Sequence, residues 1–229
     1  MPASTALITG GTGGLGGAVT AAFVESGWRV VVPVLPELIA DASGPGAELV
    51  PADLFNPADV ATVIGRAVAD ADRPLRAVVN LVGGFAMGGR VHETPVDEFE
   101  AQLRLNLRPT YLVTAAALPH LLLVGGGSVV CVSSRAAEQP FPGAAGYITA
   151  KAAVLAFVDA LESEYRQDGI RVNAVLPSVI DTPANRAAMP DADISRWVPP
   201  VEIAAVIRNL CSDDSHAVTG TKVRVYGRA

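Results

Sequence analysis

The amino-acid sequence predicts an α/β fold: one domain in which a doubly wound sheet of about seven parallel strands is flanked by helices. Three observations predict it. Short apolar runs rich in β-branched residues alternate with helix-patterned segments from end to end, the pattern of strand–helix–strand crossovers. The strand runs lack polar alternation, so both of their faces are expected to be covered. Half of the 229 residues are hydrophobic but only 5% are aromatic, so the core must be built from Ala, Val, Leu and Ile. No linker, internal repeat or low-complexity segment divides the chain, and its length fits one large domain.

Residues 6–8 form the first strand, and a glycine-rich turn leads from it into a helix running through Val24. Residues 29–34 read as a buried strand, followed by a Pro/Gly-rich connection and a short strand ending near Pro51. The next helix begins near Pro57, with Asn56 placed to cap it and proline at its first position. Residues 76–82 form another strand. A glycine-rich loop, which reads as a mobile wall, then precedes a long helix over about 96–124. Strands over 128–132 and 170–176 bracket a helix over about 147–167 that ends at Gly169, a C-cap glycine. A helix over 201–211 and a last strand over 223–226 complete the chain.

Composition excludes several classes of function. The net charge is −6 with no basic block, which argues against nucleic-acid and anionic-membrane partners. Two cysteines make no disulfide framework, and Cys131, inside an apolar strand, reads as a buried reduced thiol. The most apolar long stretch, residues 110–124, contains Pro119 and His120 and is too short to span a bilayer. A first strand starting by Thr5 leaves no room for a cleavable leader, so the expected location is the cytoplasm. No metal site is expected.

Directly after the first strand stands Thr9-Gly10-Gly11-Thr12-Gly13-Gly14-Leu15-Gly16. Glycines there permit a tight turn and close approach of a pyrophosphate to the backbone. The following helix aims its first amides and positive dipole end at the phosphates. This Rossmann-type arrangement makes Gly10, Thr12, Gly14, Leu15 and Gly16 candidate dinucleotide-binding residues.

Tyr147 and Lys151 are spaced i, i+4 at the start of a helix and so project from one face. A phenol titrates near pH 10 and is a poor base at neutrality. A nearby ammonium and an oxidised nicotinamide both favour the phenolate, which lets the tyrosine exchange a proton with a substrate oxygen. Of the 17 Lys and Arg residues only Lys151 and Lys222 are lysine, so a chain that otherwise uses arginine keeps a compact ammonium at this spacing.

These motifs, in this order and with this spacing, resemble the short-chain dehydrogenase/reductase family from Thr9 to about Thr182. The glycine spacing T-G-x-x-x-G-x-G is that family's version. The resemblance implies that Asp53, with Leu54 beside it, binds the adenine ring, and that Asn80-Leu81-Val82-Gly83 supports the sheet and lines the cofactor. It also places Pro177, Ile180 and Thr182 near the nicotinamide carboxamide, although the family's usual Pro-Gly is Pro177-Ser178 here. Ser134, thirteen residues before Tyr147, corresponds to the serine that hydrogen-bonds the substrate carbonyl, with Ser133 turning the chain. Asn106 corresponds to the asparagine that holds a water in the proton relay, and Pro109 is expected to kink its helix and free a carbonyl. The implied tetrad is Asn106, Ser134, Tyr147 and Lys151, with Tyr147 and Lys151 also touching the cofactor.

The cofactor is NAD or NADP. Val34 stands where a carboxylate would select NAD, yet residues 34–40 and the glycine turn offer no cation for a 2′-phosphate, which leans the choice to NAD. Substrate loops are expected at residues 83–95 and 181–200, with Phe85, Met87, Met189 and Trp197 as pocket walls and His92 solvated. The second loop is similar to that of dihydropteridine reductases, a branch of the family. The expected activity is reduction or oxidation at a carbonyl or alcohol on a small substrate. Reduction of a conjugated ring and a non-catalytic dinucleotide sensor are the alternatives. The resemblance also implies a homo-oligomer, a tetramer or dimer, formed through the helices over 96–124 and 147–167.

Overall fold

The computed structural model describes residues 4–228. Seven strands, β1 (Thr5–Thr9), β2 (Arg29–Val34), β3 (Glu48–Pro51), β4 (Leu75–Asn80), β5 (Gly127–Val132), β6 (Ile170–Pro177) and β7 (Lys222–Val225), form one sheet in the order β3-β2-β1-β4-β5-β6-β7. Every neighbouring pair is parallel. The chain winds outward from β1 in one direction and from β4 in the other. The crevice beyond the carboxyl ends of these two strands is therefore the topological switch point, where this architecture binds ligands.

The helices α1 (Gly16–Glu25), α2 (Pro57–Ala67), α3 (Val96–Leu123), α4 (Ala145–Tyr165), α5 (Pro183–Ala188) and α6 (Pro200–Cys211) complete the fold. Strand periodicity divides the core in two. Leu7, Val31 and Val78 face α2, α3 and α4, meeting Val63, Leu121 and Val154. Ala6, Ile8 and Val30 face α1 and α6, meeting Phe23, Ile203 and Ile207. Both faces of the central strands are buried, which explains their unbroken apolar sequences.

Several boundaries differ from the sequence expectation, for local reasons. β4 stops at Asn80 rather than at residue 82, because the amides of Leu81 and Val82 donate to the Thr9 hydroxyl at 3.1 and 3.4 Å and the chain turns out of the ladder. α4 begins at Ala145, two residues early, so Tyr147 lies within its first turn. α3 continues through Pro109 and Pro119 without a break in its helical assignment. Pro33 is tolerated inside β2 because it lies beyond the last β1 partner, the Leu7–Val31 pair, where a ladder amide is not needed on that side. The turn of helix α5 was not foreseen; Thr182 caps it through a hydrogen bond from Asn185 N.

The Asn56 cap is present: its side chain accepts from Ala58 N at 3.0 Å. Nine residues on, Gly65 is an exposed helical glycine whose added Cβ would meet nothing within 4 Å. Asn56→Ala is expected to cost about 1 kcal/mol, and Gly65→Ala to add about 0.5–1 kcal/mol. The two sites share no partner, so urea denaturation of the double variant should return close to the starting stability.

Candidate active site

The glycine turn bridges β1 and α1 at the switch point. Gly10 takes φ +66°, and Gly13 N donates back to Gly10 O at 3.0 Å. A Cβ on Gly16 would stand 1.9 Å from Gly10 O, so the helix can begin this close to the turn only with glycine there. No side chain caps α1. The amides of Gly14, Leu15 and Gly16 donate to no protein acceptor among the described residues. They leave a set of open donors at a helix N-terminus beside Thr12. Across this gap a Cβ on Gly14 would come within 2.8 Å of Thr182 Cγ2, so the turn and the cap of α5 face each other closely.

The ends of β4 and β5 bring the expected polar residues together. Lys151 is 6% exposed, and its Nζ donates to Val132 O at 3.1 Å. A Cβ on Gly83 would stand 2.6 Å from Asn106 Oδ1 and 3.0 Å from Lys151 Nζ, so these three residues occupy one contact point. The Asn106 side chain is bonded to the loop after β4 and to its own helix. Oδ1 accepts from Gly84 N, and Nδ2 donates to Gly84 O and Gln102 O, all within 3.1 Å. The side chain therefore clamps the loop after β4. Asn80 turns toward α3, donating to Thr114 Oγ1 at 2.9 Å and to Cys131 Sγ at 3.6 Å, which makes it a sheet support.

Ser133 does more than turn the chain: its hydroxyl donates to Lys151 O at 2.7 Å and its amide extends the ladder to Val175 O, tying α4 to β5 and β6. Ser134 Oγ accepts from Ala136 N and lies in hydrogen-bonding reach of the Tyr147 phenol. Phe85 packs edge-on against Tyr147, with ring centroids 5.0 Å apart, and contacts Phe141, which sequence reasoning did not single out. The loop carrying Phe85 is pinned rather than open, since Gly88 N donates to Gly143 O at 2.7 Å. Met87 and Met189 are exposed, whereas Trp197 is buried and makes no open wall. His92 lies exposed beside Glu93.

Electrostatically the site departs from the expected depressed phenol. Burial pushes the Tyr147 phenol up, only partly countered by the Ser134 hydrogen bond. Burial also pulls Lys151 down to about 8, with the Cys131 thiol acting in the opposite sense. The Cys131 thiol is itself pushed up to about 12 by burial, which makes it inert. Desolvation outweighs the attraction between the two groups in the protein alone.

Around the rim, Asp53 accepts from Phe55 N at 2.9 Å through Oδ1 while its own amide is held by Asp59. The Leu54 side chain is buried in the core with residues of α2. Ser178, standing where the family has glycine, donates to Tyr226 O at 2.9 Å. The Tyr226 hydroxyl in turn donates to Glu138, four residues after Ser134, and Arg224 binds the same carboxylate. This tie between the wall beyond β6 and the Ser134 turn joins residues 88 apart, so no local pattern signals it. Ile180 is fixed by a bridge to Val198 and accepts from Asn185 Nδ2. Thr9, whose hydroxyl redirects the chain after β4, read in sequence as an ordinary β-branched strand residue.

The lysine's folded-state proton affinity, about 8, lies below its ordinary 10.5, so between these values the unfolded chain binds more protons. Stability should therefore rise with pH across that window, with the full penalty present below pH 8. Lys151→Met is expected to raise the stability of the ligand-free protein at pH 7 by roughly 2 kcal/mol. In urea titrations the advantage should shrink by pH 10; a destabilised variant at pH 7 would contradict the assignment of desolvation as the dominant cause.

Comparison with known proteins agrees with this architecture. The family profile described as short chain dehydrogenase matches residues 4–193. The 4-formylbenzenesulfonate dehydrogenase TsaC1/TsaC2 of Comamonas testosteroni is 31% identical, covering 97% of this chain and 96% of that one. The 2-(R)-hydroxypropyl-CoM dehydrogenase of Xanthobacter autotrophicus is 29% identical over the same shares. Among solved structures, a short-chain type dehydrogenase/reductase from Mycobacterium ulcerans superimposes with a TM-score of 0.88 at 25% identity, covering 98% of this chain and 89% of that one. With its profile, its parallel sheet and its relatives in agreement, the chain belongs to the short-chain dehydrogenase/reductase family of oxidoreductases.

Proposed function

We propose that the protein is an NAD(P)-dependent carbonyl reductase or alcohol dehydrogenase in which Tyr147 exchanges the proton. The observation that carries this reading is the convergence of buried Lys151, Tyr147 and Ser134 at the strand ends, beside the open amides of the glycine turn. Those amides and the glycine-lined gap fit a pyrophosphate. Neither the glycine turn nor residues 34–40 carry a cation for a 2′-phosphate, which favours NAD. The nicotinamide, when bound, supplies or accepts hydride.

In the direction of reduction, Ser134 orients the substrate carbonyl and Tyr147 donates its proton to the carbonyl oxygen. A phenol held above its ordinary value stays protonated through the neutral range, which suits a proton donor. Lys151 holds positive charge near the phenol and, with a proton affinity near neutrality, passes a proton more readily than an ordinary lysine. Oxidation reverses each step. Phe85, stacked on Tyr147, forms an apolar wall for the substrate beside the reacting oxygen. The names of relatives that act on a hydroxypropyl and a formyl compound support a carbon–oxygen bond as the reacting group. Exposed Leu122, Leu123 and Tyr111, the last packed on Phe157 of α4, support self-association through α3 and α4.

Calorimetric titration with NADH and NADPH side by side should give tight binding of NADH; binding of neither would remove the dinucleotide reading. Tyr147→Phe should abolish turnover of a carbonyl panel while cofactor affinity stays within a few-fold, and Lys151→Ala should weaken both. Comparable turnover in Tyr147→Phe would exclude the tyrosine as acid/base. Sedimentation velocity at micromolar concentration should give a dimer or tetramer, and Tyr111→Glu should shift it toward monomer; a monomeric wild-type protein would exclude this interface.

A further inference from the structure

A hollow lies at the opposite end of the sheet from the candidate active site. It is a cavity of about 420 Å³ at the amino ends of β4, β5 and β6, whereas Asn80, Ser134 and Pro177 sit at the carboxyl ends. β5 spans six residues, so about 20 Å of strand separates the two regions. The volume exists because glycines line one side. Gly126, at φ +120°, packs so close to Gly169 that a Cβ would stand 2.4 Å from the Gly169 carbonyl oxygen, and a Cβ on Gly125 would project into open space. The opposite wall carries Trp28, Ile170 and Ala217.

The charge in this cavity is unusual for the chain. The protein carries a net charge of −6, yet Arg76, Arg166 and Arg171 line the cavity together with His216, against a single acid, Asp213. Neither Arg76 nor Arg171 forms an ion pair within 4 Å among the described residues. Arg166 has only a loose contact with Glu162 at 3.9 Å. Arg76 donates to Gly126 O at 3.0 Å, and Arg171 donates to Leu210 O and Ser212 O. These carbonyls fix the guanidiniums in place but, being neutral, add no negative charge, and the attraction of Asp213 for Arg171 only partly offsets the cost of its burial. Each guanidinium has five donors, so both retain N–H groups beyond those bonds. Partial burial of Arg171 costs it proton affinity. A half-buried pair of oriented guanidiniums that outnumbers the single nearby carboxylate is an arrangement that recognises an anionic oxygen group.

We propose that this cavity is a second ligand site that binds a small anion, a phosphate or carboxylate group held by Arg76, Arg171 and Arg166, with an apolar body against Trp28 and Ala217. Its size falls within the range of small-molecule sites. It lies apart from the glycine turn, so its ligand does not compete with a dinucleotide.

Two probes distinguish the sources of the anion. Inorganic phosphate and benzoate are titrated separately into the wild-type protein at low ionic strength by calorimetry. Saturable binding in the millimolar range or tighter is expected for at least one, phosphate leading if the ligand is a phosphate ester and benzoate leading if it is a carboxylate. The Arg76→Gln/Arg166→Gln double variant should weaken that binding at least tenfold while NADH affinity stays within twofold. Because the double variant may not fold, Trp28 fluorescence in a Trp197→Phe background gives a second readout with all three arginines intact, and the same anion should change it saturably. No saturable binding of either probe overturns the proposal, as does binding that persists undiminished in a folded double variant or leaves Trp28 fluorescence unchanged.

Discussion

The candidate site is organised around one costly act: an ammonium buried without a carboxylate partner. Lys151 is buried between α4 and the sheet, where its Nζ donates to the Val132 carbonyl at the end of β5. Removing a charge from water in this way costs several kcal/mol unless neighbours compensate, and the surroundings follow from that cost. Ser133 grips the Lys151 carbonyl and so fixes where α4 starts relative to β5. Gly83 is stripped of a side chain because Asn106 and the lysine head fill the space that a Cβ would need. Asn106 then holds the backbone of Gly84 from both sides, closing the loop over the ammonium. Tyr147, one turn before the lysine, is carried into the same dry pocket and raised in proton affinity by it.

This explains which parts of the molecule were legible in its sequence. The sheet was legible because its strands are buried on both faces and therefore read as unbroken Val, Ile and Ala runs; β2 begins and ends where that pattern does. The Tyr147–Lys151 pair was legible because helical spacing converts sequence distance directly into a shared face. What escaped lies in contacts between distant segments. The end of β4 depends on a hydroxyl from Thr9, about seventy residues earlier, and nothing in residues 76–82 signals the turn. Leu54 packs its side chain into the core from the turn after β3, a contact with distant residues that its local sequence does not signal. The direction of the Tyr147 shift was missed because charge proximity is visible in spacing, whereas burial is a property of the assembled fold.

The departure from the usual Pro-Gly after β6 has a structural compensation. A serine at 178 gives the wall a hydroxyl, which is satisfied by the carbonyl of Tyr226. Tyr226 and Arg224 are in turn bound to Glu138, so hydrogen bonds link β7, the segment beyond β6 and the Ser134 turn. Arg135 lies over the Tyr226 ring and adds a further contact to the same network. A chain that gives up backbone freedom at 178 gains in return a chain of hydrogen bonds between the segment after β6 and the turn at Ser134. Linkage of this kind is what positioning of reacting groups requires.

The choice of lysine at 151, in a chain whose other surface and cavity cations are nearly all arginine, follows from the same electrostatics. Arginine would stay charged at any pH the protein meets, and its planar fork needs partners on several sides. Buried here, with one carbonyl within reach, it would carry an unsatisfied charge in every state of the reaction. An ammonium is compact enough to fit between Asn106 and the end of β5, and its proton affinity falls to about 8 under the same burial. The other lysine, Lys222, lies at the edge of the sheet and pairs with Asp159, an environment in which arginine would serve as well. Position 151 is therefore one where the size of the cation and the ease with which it gives up its proton both matter, and lysine rather than arginine meets both demands.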